Sequence, residues 1–228
     1  MVVAMNYRYE RKFLIDTLSL LQIESIVRSH PAKFEESYKP RKVNSLYFDD
    51  INMQNVEDNL AGINNREKER IRWYGETFGK IKSPVLEIKI KRGLLGAKEL
   101  HPLKTFSLDS GFGKKSIQKI FESSNIPEYN MHILGLRNPT ILDVYTRKYL
   151  ISSDKKFRLT IDFNIEYFKI NQLYNTFLEK ISSHNVVMEL KYDAQFDNEA
   201  EQITNYFPFR VTKSSKYVSG ADYFYSVS

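Results

Sequence analysis

Basic residues recur at every second position in several short segments, and that spacing limits the chemistry open to this chain. In Val85–Arg92, Glu87, Lys89 and Lys91 alternate with Leu86, Ile88 and Ile90, so a strand here carries charge on one face and aliphatic side chains on the other. The same plan returns in Tyr7–Ile15 (Arg8, Glu10, Lys12), Arg66–Tyr74 (Arg66, Lys68, Arg70, Arg72) and Tyr145–Ile151 (Tyr145, Arg147, Tyr149). It returns again in Phe157–Asp162 (Arg158, Thr160, Asp162) and Val187–Tyr192 (Glu189, Lys191). A single strand of this kind ordinarily turns its charges to water. Repetition over six strands points instead to charged faces gathered around an anionic ligand.

A lining of Lys12, Arg70, Arg72, Lys89, Lys91, Arg147 and Arg158 would be costly when dry, because an unpaired interior charge costs several kcal/mol. It makes sense if hydrated, balanced by acids, or filled by a polyanion. Guanidinium groups fork onto phosphate oxygens and lysine adds a point charge, so a linear tri- or polyphosphate matches the lining better than one phosphate does. Glu10, Glu87 and Glu189 fall in phase with the cations, and carboxylate oxygens suit Mg²⁺ or Mn²⁺ bridging phosphates. For any one of these cations a solvated face is the plainer role, a lone Glu more often pairs with a neighbouring Lys, and Tyr145 alone reads as a packing residue. The ensemble carries the phosphate reading. No P-loop, dinucleotide glycine fingerprint or kinase signature is present, and the four histidines lack zinc spacing. A nucleic-acid role is the weakest rival, since the same faces carry acids and no RNA-recognition signature occurs.

The elements that must hold these residues are mostly strands. Fifteen Tyr and fifteen Phe against one Trp favour a pleated architecture, and 228 residues can bury a sizeable core in a single domain spanning 1–228. The net charge of +6 favours anionic partners. The absence of cysteine excludes disulfides, thiolate metal sites and a Cys nucleophile, and makes a cytoplasmic location the default. No apolar run is long enough for direct membrane insertion, so any membrane role would need a partner protein. Along the chain, Asp16 is expected to cap a helix that His30-Pro31 ends, and Lys42–Phe48 to form a strand. In Arg66–Tyr74, Ile71 and Trp73 mark the buried half, while Glu67 and Glu69 place the other half in solvent on both faces. A short strand or extended connection is expected within Lys98–Leu108, a helix at Lys115–Glu122 and an irregular stretch between Pro127 and Pro139. Ile141–Phe168 reads as two long strands around Ser152–Lys155, followed by a strand at Val186–Tyr192, a short helix at Asp197–Tyr206 and a last helical turn after Lys213.

Taken in order, Arg8-Tyr-Glu-Arg-Lys12, Arg70-Ile-Arg72-Trp-Tyr, Leu86-Glu-Ile-Lys89, Tyr145-Thr-Arg147, Arg158-Leu-Thr-Ile-Asp162, Met188-Glu189-Leu-Lys191 and Ser215-Lys216-Tyr217 resemble the catalytic domain of the vacuolar transporter chaperone (VTC) polyphosphate polymerases and their bacterial relatives, in the CYTH or triphosphate tunnel metalloenzyme superfamily. The resemblance implies an α+β fold, a closed antiparallel β-barrel with peripheral helices whose basic tunnel holds ATP and inorganic polyphosphate. By position it implies phosphate contacts from Lys12, Arg70, Arg72, Lys89, Lys98, Arg147, Arg158, Ser215 and Lys216, a divalent metal on Glu189, and Tyr145 near a nucleobase. The first strand departs from the Glu-x-Glu-x-Lys pattern of tunnel triphosphatases, since Arg8 stands where the first Glu would be. That favours a polymerase moving the γ-phosphate of ATP onto a growing chain, with Arg70, Arg72 and Arg147 clamping the transferred group. A tunnel-type triphosphatase and a non-catalytic polyphosphate-binding module are the alternatives.

Overall fold

The computed structural model describes residues 9–93 and 95–225, so Tyr7, Arg8 and the Met-Val-Val-Ala-Met run lie outside the described residues. Strand β1 (Tyr9–Ile15) turns Phe13 and Ile15 into an apolar cluster and Glu10 and Lys12 to its other face. Helix α1 (Leu20–Arg28) is capped by Ser19 rather than Asp16. The Ser19 hydroxyl accepts from the Gln22 amide while Gln22 Oε1 accepts from the Ser19 amide, a reciprocal pair that Asp16, with a serine three residues on, cannot make. Strand β2 (Glu35–Asp49) starts before the expected Lys42, because its first half is exposed and shows no apolar alternation. Helix α2 (Gln54–Leu60) and strands β3 (Asn65–Tyr74), β4 (Gly79–Ile81), β5 (Val85–Arg92), β6 (Leu95–Pro102) and β7 (Phe106–Leu108) follow.

Helix α3 (Lys114–Glu122) stands where expected, but the stretch between the two prolines holds α4 (Glu128–Gly135), with Pro127 outside the helix at its N-cap. Strands β8 (Asn138–Ile151) and β9 (Arg158–Lys169) are the predicted long pair. The short β10 (Lys180–Ser183), β11 (Val186–Tyr192), α5 (Asp197–Tyr206) and α6 (Lys216–Tyr225) complete the chain, α6 being a ten-residue helix rather than a single turn. Among the described residues no helix is long and apolar enough to cross a membrane.

The α+β expectation holds, but the barrel closure does not. Hydrogen-bonded strand order is β1-β11-β9-β8-β2-β3-β5-β6, with β10 on β9 and β4–β7 a separate pair, so the path has two ends. The reason is visible at β1. Its outer edge is occupied by the segment at Thr212, whose amide donates to Lys12 O at 2.8 Å and whose hydroxyl accepts from Leu14 N at 3.0 Å. Covered at Lys12 and Leu14, this end of the edge cannot pair with a closing strand.

The chain forms two compact units. Of the described residues, the first takes in 9–41, 145–165 and 183–214, the second 42–144, 166–182 and 215–225. Each has its own apolar cluster: Phe13, Ile23, Leu159, Ile161, Met188, Leu190 and Phe207 in the first, and Leu46, Phe48, Ile71, Trp73, Leu86, Ile88, Leu142 and Val144 in the second. In the second unit α6 packs closely at Gly220. A Cβ there would stand 2.7 Å from Tyr167 Cδ1 and 2.9 Å from Ile141 Cγ2, so glycine sets how near the helix lies to β8 and β9.

Candidate functional site

In the first unit, period-two geometry and register gather the predicted residues on one face. Lys12 pairs across β1 and β11 with Glu189, Glu189 across β11 and β9 with Thr160, and Lys191 with both Glu10 and Arg158. The side chains interlock. Lys12 Nζ lies 3.0 Å from Glu10 and 3.6 Å from Glu189 and donates to Ser214 O, while Lys191 lies 2.7 Å from Glu189 and 3.9 Å from Glu10. Arg147 forks onto the fully buried Asp162 through Nε and Nη2, with contacts of 2.5 and 2.6 Å, and the same Nη2 is 3.5 Å from Glu189. Burial opposes the Arg147 charge, yet Asp162, Tyr145 and Glu189 hold its pKa above the ordinary arginine value. Tyr145, expected to meet a nucleobase, is 2 % exposed and lies 5.2 Å beneath the Arg147 guanidinium. It is a cation–π partner, with no open ring face to offer a base. Arg158 is exposed at the start of β9.

The second unit holds the other set. Arg70 Nε and Nη2 reach Glu87 Oε2 at 2.8 and 2.5 Å, Arg72 reaches Oε1 at 3.4 Å, and Lys98 stands 3.8 Å away. Tyr47 accepts from Arg70 at 2.9 Å and stacks on Tyr217, with ring centroids 4.7 Å apart. Ser215 accepts from Lys68 at 3.4 Å, and Lys216 opens α6. One row is notable: the register sets Lys68 opposite Lys89 and Lys89 opposite Lys98, three lysines across three adjacent strands. Lys91 sits one row further, opposite Arg66.

Glu87 was expected among the metal-binding carboxylates, and its surroundings point elsewhere. Burial raises a carboxyl, but Arg70, Arg72 and Lys98 override it and bring Glu87 down to about 2. A carboxylate so matched to cations is a poor ligand for another one. Because its folded value lies below the ordinary 4.5, its stabilisation is complete above that value and is lost as pH falls towards 2. Glu87→Gln is therefore expected to cost ~3 kcal/mol near neutrality, and the gap to the parent should close in acid. Urea unfolding of both proteins at several pH values checks this; a gap independent of pH would refute it.

Sequence reasoning also missed three residues. Glu69, expected in solvent, is 2 % exposed: Asn55 of α2 donates to it at 3.2 Å and covers that end of β3. It lines, with Glu67, Asp50 and Arg137, a cavity of about 750 Å³ against the face of β3 turned away from Arg70 and Arg72. Tyr47 lies in phase with Ser45 on β2, a spacing that could have placed it. Asp143 is fully buried on β8, beside the Ser45 hydroxyl and with no hydrogen bond of ordinary geometry to either oxygen. Its place in the same period-two series as Tyr145 and Arg147 was the available signal.

Among the described residues no three Asp, Glu, His or Cys side chains converge as a metal cage. Glu189, matched to Lys191, Lys12 and Arg147, and Glu10, matched to Lys12 and Lys191, could take a hard cation such as Mg²⁺ only if those lysines moved off to ligand phosphate oxygens.

Residues 7–225 match the VTC domain family. The chain belongs to that family. Three solved structures share the VTC domain's fold at low identity. A Pyrococcus horikoshii protein is 13% identical with a TM-score of 0.50, over 93% of this chain and 96% of its own. A candidate adenylate cyclase from Vibrio parahaemolyticus is 11% identical at 0.51, over 93% and 98%. A candidate adenylyl cyclase from Hippeastrum, described as having a dominant triphosphatase activity, is 13% identical at 0.51, over 96% of each chain. No curated protein matches this VTC domain.

Proposed function

We propose that this VTC domain is a polyphosphate polymerase that transfers the γ-phosphate of ATP to a growing inorganic polyphosphate chain. The observation that carries the reading is the Lys68–Lys89–Lys98 row beside Arg70 and Arg72. Like charges directly opposite on a sheet are destabilising, and a linear polyanion laid across the strands relieves them. A terminal phosphate oxygen of the chain attacks the γ-phosphorus, a P–O bond forms there, and the bond to the β-phosphate oxygen breaks with its electrons leaving on ADP. Phosphoryl transfer of this kind asks the protein for position and charge stabilisation, with no covalent protein nucleophile. Arg70 and Arg72, braced by Glu87, hold phosphate oxygens at fixed fork angles, and Ser215 and Lys216 add contacts at the start of α6. In the first unit Lys12, Arg147 and Arg158 offer phosphate contacts, and Glu189 with Glu10 would hold Mg²⁺ or Mn²⁺. Such an ion, when bound, neutralises phosphate charge.

A second reading, hydrolysis of a triphosphate by water, is favoured by the triphosphatase activity described for the Hippeastrum protein. Purified protein incubated with ATP and Mn²⁺, with ADP, free phosphate and long polyphosphate followed together, separates the two. ADP accompanied by polyphosphate is the expected result. ADP with equal free phosphate would replace the polymerase by the hydrolase, and tight polyphosphate binding without turnover would leave a binding module.

A further inference from the structure

Asp143 is the carboxylate that the reading above leaves without a role. It is 0 % exposed, and the Ser45 hydroxyl is its near polar neighbour, with no hydrogen bond of ordinary geometry to either oxygen. Ser45, beside it on β2, makes no hydrogen bond of ordinary geometry either, and stands opposite Arg72 in register. The charges facing Asp143 are Lys216 on α6 and Arg70 and Arg72 on β3, and from β9 the Tyr167 phenol, a neutral group at ordinary pH, also faces it. Burial pushes its pKa up, and the three cations together with the Ser45 hydroxyl hold it back.

We propose that Asp143 takes up a proton when a phosphate chain binds the cations around it, so that this unit binds polyphosphate and a proton together. The inference rests on the phosphate-binding reading of the Arg70 and Arg72 face and adds a linkage to it. With the face empty, Lys216, Arg70 and Arg72 compensate Asp143, the two arginines being shared with Glu87. A polyanion on those cations consumes that compensation and adds repulsion, and a buried carboxylate in that position neutralises. Once protonated, Asp143 becomes a donor, which the Ser45 hydroxyl can accept. The same three cations argue against a divalent metal at this carboxylate, because it would add like charge.

The test is binding of tripolyphosphate to the full chain in chelator, by calorimetry in two buffers of different ionisation enthalpy, for the parent and Asp143→Asn. The parent is expected to take up protons beyond those of the ligand's own titration, and the variant to lose up to one of them. Between the carboxyl's pKa in the free and in the phosphate-bound protein the parent's affinity should fall about tenfold per pH unit relative to the variant and then level off, so Asp143→Asn binds more tightly at alkaline pH and the two converge in acid. Equal proton counts, or weaker binding by the variant at alkaline pH, would overturn the linkage while leaving phosphate binding intact. Failure of the parent to bind tripolyphosphate at any pH would overturn the phosphate reading itself. Should the variant not fold, the ligand-induced infrared difference spectrum of the parent decides: a new protonated-carboxyl band is expected, and its absence refutes the proposal.

Discussion

Asp162→Asn is expected to destabilise the protein by ~3 kcal/mol, the lower end of the cost of removing one partner from a buried pair. Asp162 is fully buried and takes both contacts of the Arg147 fork. The amide keeps the shape and one acceptor but leaves the guanidinium's charge to Glu189, at 3.5 Å and already shared with Lys12 and Lys191. That residual partner is why the expected cost sits at the lower end. Replacing the pair together, as Arg147→Met with Asp162→Leu, should cost less than Asp162→Asn alone, since an apolar pair leaves no orphaned charge. Urea midpoints of the variants measure this directly. An Asp162→Asn protein within ~0.5 kcal/mol of its parent would mean that Glu189 alone carries the guanidinium.

Arg72→Ala is expected to lower ATP turnover by 10² or more, in the range seen when one fixed charge-stabilising donor is removed. The choice of Arg72 follows from how Glu87 is held. Arg70 makes its two short contacts, whereas Arg72 reaches the other oxygen at 3.4 Å, the looser of the two arrangements and the easier one for ligand oxygens to redirect. Arg72→Lys restores charge without the fork and should recover only part of the rate. Steady-state kinetics with Mn²⁺ and ATP, read as separate changes in kcat and KM, give the answer. A loss smaller than ~5-fold would remove Arg72 from the reaction.

The faces of the strands were legible because alternation survives folding. Glu10 and Lys12 against Phe13 and Ile15, and Glu87 and Lys89 against Leu86 and Ile88, fall where period two puts them. Register was not legible. Nothing local to Lys68, Lys89 or Lys98 says that they stand in one row, which depends on where two hairpins turn. The edge of β1 was hidden for a similar reason, since its cover, Thr212, is remote in sequence. Glu69 looked solvated because its amide partner arrives from α2. Asp143 was obscured by its neighbours: Ile141, Leu142, Val144 and Tyr145 are all buried, so the segment reads as plain core with one polar exception.

The pairing of β1 with β11 also fixes a timetable. Tyr9–Ile15 finds its partner only when Val186–Tyr192 exists, and Thr212 must follow before the outer edge is covered. At ~5–20 residues per second, a ribosome takes on the order of ten seconds or more between the two strands. Through that interval Phe13 and Ile15 have no sheet to enter, and the strand is a bare template for any other nascent chain nearby. Such long-range closure makes folding slow relative to a hairpin-built sheet. Expression yield should accordingly respond to translation rate and chaperone supply through the first unit, whereas the β3-β5-β6 hairpins of the second can assemble as they emerge.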